Sequence, residues 1–139
     1  MKKHSHATGF SLIELLIVIA IAGILIAILV PSYQTYTRRA HYSEVVQAAA
    51  PYKIGVEQCY QMMGALDSCT ADQNGVPANI TQGSGLVSSI TVNDTGQITA
   101  IPKELYGITA EDTYILTPRI ENDAVIWDVS GGGPSRGYV

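Results

Sequence analysis

From Phe10 to Val30 the chain reads FSLIELLIVIAIAGILIAILV, an apolar run of 21 residues with one ionisable side chain, Glu14. As a helix it would span about 31 Å, close to the hydrocarbon thickness of a bilayer. Beyond Val30 the pattern narrows to one apolar face. Val45, Ala49, Tyr52, Val56, Cys59 or Tyr60, and Met63 follow three- and four-residue spacings, while Arg38, Arg39, Glu44, Gln47, Lys53, Glu57 and Gln61 take other directions. Together these patterns predict one long helix from about Phe10 to Met63. Its first half is apolar all round; its second half needs a sheet to cover its stripe. Pro31 and Pro51 each remove a helical hydrogen bond and crowd the preceding turn, which predicts kinks or local melting.

After Gly64 the helical period ends, and Gly, Asn, Ser, Thr and Asp become frequent. Residues 64–85 read as a loop. Leu86–Val92 and Gln97–Ala100 flank Asn93-Asp94-Thr95-Gly96, a hairpin with turn residues in place. Tyr114–Ile120 and Val125–Val129 flank Glu121-Asn122-Asp123-Ala124, a second hairpin. Ile115 and Trp127, with Ile90, Val92, Ile98 and Leu116, are the expected apolar contributors. Pro118 pushes its strand toward an edge or a bulge. The fold class is α+β: a long N-terminal helix, its amphipathic half packed on a four-stranded antiparallel sheet. The expected divisions are 1–9, a leader; 10–37, an apolar helix; 38–63, an amphipathic helix; and 64–139, a loop, sheet and tail.

Composition sharpens this picture. Apolar residues make up 47% and charged residues 14%, against roughly 25% charged in ordinary soluble domains. That excludes a disordered, solvating chain. A net charge of −4 argues against gripping nucleic acid as the main task. Arg38 and Arg39 alone are a weak signal for DNA. They read equally as a polar boundary at a membrane surface and as partners for acidic residues of neighbouring chains.

No catalytic, metal or cofactor constellation stands out. His4 and His6 lie in the basic start, and His41 stands alone. Asp67, Asp72 and Asn74 lack calcium-loop spacing. Glu111-Asp112 reads as a turn, and Gly131-Gly132-Gly133 is not followed by a Lys. Cys59 and Cys69 are an even pair ten residues apart, which in an exported domain favours a disulfide over two free thiols.

Glu14 is the informative residue. A carboxylate in an apolar helix costs on the order of 1–3 kcal/mol and calls for a partner. Residues 1–9, MKKHSHATG, are short and basic, like the start of a signal sequence. The run behind them is too long for an ordinary signal core, and the nearest A-x-A site, Ala48-Ala49-Ala50, lies inside the helical pattern. A plain anchor explains the length and leaves Glu14 without a role. Cleavage after Gly9 would create an α-amine on Phe10, charged at neutral pH. That amine could neutralise Glu14 of a neighbouring, axially shifted helix and so set the stagger between identical chains.

Gly9-Phe10-Ser11-Leu12-Ile13-Glu14, with its basic leader and apolar helix, resembles the processing motif of type IV pilins. The resemblance implies cleavage after Gly9 by a prepilin peptidase, N-methylation of Phe10, and an assembly role for Glu14. It also implies that Gly23 and Pro31 bracket a stretch able to melt when subunits pack. Expected partners are further copies of the chain in a helical filament, the prepilin peptidase, the inner-membrane assembly machinery and the membrane, with surface or DNA ligands for the fibre. Storage in the inner membrane of a Gram-negative bacterium, then an extracellular filament for adhesion, twitching motility or DNA uptake, is the implied course. Minor pilins, secretion pseudopilins and a non-polymerising anchored binding protein are the alternatives. Many pilins close a C-terminal loop with a cysteine near the segment that here reads Trp127-Asp128-Val129-Ser130. This chain has Val129 there, so the stretch 131–139 is not stapled by a disulfide, which leaves its flexibility and any adhesive role open.

Overall fold

The computed structural model describes residues 9–139; the expected leader, apart from Gly9, lies outside them. Helix α1 runs from Leu12 to Met63 through Gly23, Pro31 and Pro51 without interruption. Four strands follow: β1 Val87–Val92, β2 Ile98–Pro102, β3 Tyr114–Glu121 and β4 Ala124–Ser130. A short helix, α2, covers Gly132–Ser135. The chain divides into a compact unit ending at Thr35 and a second, Tyr36–Val139.

In the first unit α1 presents apolar side chains outward on every side. Leu12, Ile17, Ile21, Ile24 and Ile28 are all more than half exposed. The helix is long and apolar enough to cross a membrane. Ser32 and Thr35 hydroxyls donate to the carbonyls of Ile28 and Pro31, one turn back.

In the second unit α1 buries Tyr42, Val45, Ala49, Tyr52, Gly55, Val56 and Cys59. This is the expected stripe extended at its start by Tyr42, while Met63 at its end is exposed. The sheet it packs on is antiparallel throughout, in the order β1-β2-β3-β4. The two hairpin turns follow from their sequences. The Asn93 carboxamide oxygen accepts the Thr95 and Gln97 backbone N–H groups, and Gly96 supplies a positive φ of 74°. Asn122 and Asp123, at φ 52° and 60°, form the left-handed two-residue turn that matches strand twist.

Two expectations need correction, and the question of the C-terminal tail is answered. Ile115 does not lead the core: strand alternation turns Tyr114 and Leu116 inward and leaves Ile115 half-buried. Pro118 does not put β3 at an edge. β3 is an inner strand, and its pairing with β2 ends at Leu116, so Pro118 lies past the last β2 partner. The C-terminal tail is not loose. Gly133 N–H donates to the Thr113 carbonyl, Tyr138 N–H to the Gly133 carbonyl, and the Tyr138 ring is buried against Tyr42 at 5.4 Å between centroids. Hydrogen bonds and an aromatic contact hold the segment where the sequence offers no cysteine.

Residues 64–85 form turns with one isolated bridge, Ile80 to Ile90. Cys59 and Cys69 form a disulfide that ties this segment to α1, and both are fully buried. Further along, the segment comes so close to α1 that a Cβ at Gly55 would lie 2.8 Å from Pro77.

Candidate functional site

The site residues nearest the N-terminus meet at the start of α1. Ser11 precedes the first helical residue, and its hydroxyl accepts the Glu14 N–H at 3.3 Å. The Glu14 carboxylate reaches back, accepting the Ser11 N–H and the Ser11 hydroxyl, both at 2.8 Å. This reciprocal pairing is a capping box: it satisfies backbone donors that have no partner within the first turn. Glu14 also sits at the positive end of the helix dipole. Gly9 and Phe10 precede the box, exposed, with Phe10 84% accessible.

Glu14 therefore has a role within its own chain as well as the one expected between chains. The Ser-x-x-Glu spacing of Ser11 and Glu14 was the signal that could have shown it. The box and the helix dipole favour the carboxylate, but among the described residues no cation pairs with it.

The other expected residues do not converge on this box. Gly23, Pro31 and Pro51 are spaced along α1, all helical, and a Cβ at Gly23 would meet nothing within 4 Å. The 23–31 stretch is helix in the isolated subunit.

Sequence reasoning missed several polar contacts within the second unit. Glu44 accepts the Leu86 N–H at 2.9 Å, and Trp127 donates its indole N–H to Glu57 at 2.7 Å. Asp112, expected only to mark a turn, is fully buried. Its Oδ2 accepts the Thr109 N–H at 2.8 Å, while Oδ1 faces the Arg136 guanidinium at 2.9 Å. Oδ1 has no aligned hydrogen-bond donor, so the Arg136 contact acts through charge. Apart from the local Thr109–Asp112 bond, these contacts join partners far apart in the chain, and no local motif announces them. Among the described residues no group of three metal-ligating side chains comes together.

Residues 4–30 match the prokaryotic N-terminal methylation motif, and residues 38–135 match a family described as pilin (bacterial filament). The class is that of bacterial filament subunits carrying an N-terminal methylation motif. The chain is 44% identical over 137 residues to the type IV pilus subunit protein TapA of Aeromonas hydrophila, covering 96% of this chain and 94% of that protein. It is 35% identical over 128 residues to the type IV major pilin protein PilE1 of Neisseria gonorrhoeae, covering 86% and 67%. Its fold is similar to the solution structure of the major type IV pilin PpdD from enterohaemorrhagic Escherichia coli. The TM-score is 0.55 at 26% identity, over 69% of this chain and 70% of that one. The chain belongs to the pilin family, as a type IV pilus subunit, and the family is structural rather than enzymatic.

Proposed function

We propose that this chain is a major, filament-forming subunit, stored in the inner membrane through α1 and then polymerised into a surface fibre. Cleavage after Gly9 frees the Phe10 amine, which is methylated. On docking, Glu14 faces the amine of a neighbouring subunit and sets the axial offset between helices. In lipid and in the fibre core alike, the apolar surface of α1 stays away from water, so transfer between them need not expose it. Melting between Gly23 and Pro31 lengthens the packed subunit. The 64–85 segment, the sheet and the C-terminal segment face outward and set what the fibre touches. Adhesion, twitching motility and DNA uptake are the uses this surface serves.

The observation that carries this reading is the Glu14 carboxylate, held at the start of an apolar run that is otherwise uncharged to Val30, five residues after Gly9. N-terminal mass spectrometry of sheared fibres tests it. The expected chain begins at a methylated Phe10, and Glu14→Ala leaves cleavage intact while fibres disappear. Normal fibres built from chains that keep residues 1–9 would refute the reading.

A further inference from the structure

Arg38 and Arg39 are the first cations after the apolar run, eight and nine residues beyond Val30. Among the described residues, the ion pairs use Arg119 and Arg136 and leave both of these guanidiniums without a carboxylate. Arg38 is half-buried and Arg39 is exposed. The loop between β2 and β3 turns through Tyr106 and Gly107 at φ 56° and 77°, closed by Ile108 N–H donating to the Leu105 carbonyl at 2.9 Å. The turn stacks Tyr106 on His41, centroids 3.8 Å apart and rings 4° from parallel. It also brings Gly107 under Arg38, where a Cβ would lie 2.8 Å from the guanidinium Nε. The Arg39 guanidinium lies 3.3 Å from where a Gly137 Cβ would be. Tyr36 and Tyr106 remain 72% and 61% exposed. Arg38, half-buried against the Tyr106–Gly107 turn, and Arg39, exposed beside Gly137, thus form no ion pair among the described residues, with the exposed Tyr36 two residues before Arg38 and the exposed Tyr106 in the turn.

The position along the chain selects a partner. Residues 31–37, PSYQTYT, carry no charge and two tyrosines, the composition of a membrane–water boundary. Arg38 follows Val30 by about 12 Å of helix. The headgroup layer is roughly 5–8 Å deep on each side, and long cationic side chains reach back toward it. Guanidinium forks match phosphate oxygens, and phenol rings favour the headgroup level. We propose that Arg38 and Arg39, flanked by Tyr36 and Tyr106, bind the phosphates of anionic phospholipid headgroups while the subunit is stored in the membrane. This rests on the membrane-storage reading and not on polymerisation.

The test is native mass spectrometry of the full chain released from nanodiscs containing phosphatidylglycerol and phosphatidylethanolamine. The expected result is retention of phosphatidylglycerol roughly tenfold above phosphatidylethanolamine, in line with two cations near an anionic surface. The Arg38→Gln/Arg39→Gln variant should fall to parity, while Lys53→Gln keeps the preference. Arg38→Lys/Arg39→Lys, which preserves charge, should keep part of it. Unchanged Trp127 emission in each variant shows that the head is folded. Parity in the unmodified chain, or preference surviving in the glutamine variant, overturns the proposal. Displacement of the lipid by inorganic phosphate would make this a free-anion site, and arginine-dependent pairing of two chains without lipid preference would make it a contact between copies; either overturns it. A chain that does not enter the discs overturns membrane storage, and this proposal with it.

Discussion

The Trp127 indole N–H donates to the Glu57 carboxylate across 2.7 Å, joining the last strand to the helix seventy residues away. It is a hydrogen bond to an ionised acceptor in a half-buried setting, worth about 1.5–3 kcal/mol where fully formed. Glu57→Leu leaves the indole donor unpaired. Thermal unfolding of the full chain in detergent should show a loss of about 1–2 kcal/mol. Trp127 is the chain's one tryptophan, so its emission should shift in the same variant.

Asp112 anchors the C-terminal segment. It is fully buried, and its charge faces Arg136, whose side chain is 47% exposed. Removing one partner of a fully buried pair costs about 3–5 kcal/mol; solvent around Arg136 lowers this to about 2–3. Asp112→Ala should lower stability by that amount, and Arg136→Ala should do the same by stranding the buried carboxylate. Limited proteolysis should then cut first between Gly131 and Val139.

These two contacts show where the sequence stops being informative. The α1 stripe, both hairpins and the disulfide follow from local spacing, because period, turn chemistry and cysteine count are properties of short segments. Tyr42 was overlooked because it stands one turn before the stripe, and its partners Tyr114, Tyr138 and the Asp112 carbonyl come from the far end of the chain. Asp112 and the pinned tail were hidden for the same reason. The Ser11–Glu14 box is legible in the Ser-x-x-Glu spacing, because both partners lie within one turn.

The Cys59–Cys69 bridge closes a small loop, and the chain-entropy estimate for such a loop is about 2–3 kcal/mol. Both sulfurs are buried, so reduction should need partial unfolding first. Cys59→Ser/Cys69→Ser should unfold earlier by about that amount. The bridge ties the 64–85 segment to α1, so hydrogen exchange should rise there before it rises in β3.

Burial raises the hydroxyl pKa of Tyr42, Tyr52 and Tyr114 above the ordinary phenol value; for Tyr42, the nearby Asp112 charge adds to the effect. The neutral phenol is therefore favoured in the folded state. Their contribution is fully present below the unfolded value of about 10 and is lost as pH rises through the folded values. Stability of the full chain should stay level near neutrality and fall steeply above about pH 10. Tyr42→Phe should flatten that fall while lowering stability at neutral pH, because its hydroxyl no longer donates to the Asp112 carbonyl.

Ser11 separates the local role of Glu14 from its role between subunits. Within one chain, the Ser11 hydroxyl caps the Glu14 N–H and the carboxylate caps Ser11 in return. Ser11→Ala removes the hydroxyl, which costs the helix start about 0.5–2 kcal/mol, and leaves the charge of Glu14 in place. Glu14→Gln keeps a side chain able to cap and removes the charge. If capping were the whole purpose of Glu14, Ser11→Ala would harm assembly at least as much as Glu14→Gln. If the charge answers an amine on the next subunit, Glu14→Gln abolishes fibres while Ser11→Ala reduces them only modestly. Counting sheared fibres beside the amount of cleaved subunit decides between them, and the second outcome is expected. The capping box needs no charge, and a carboxamide would satisfy it without the desolvation penalty that a carboxylate brings to an apolar helix.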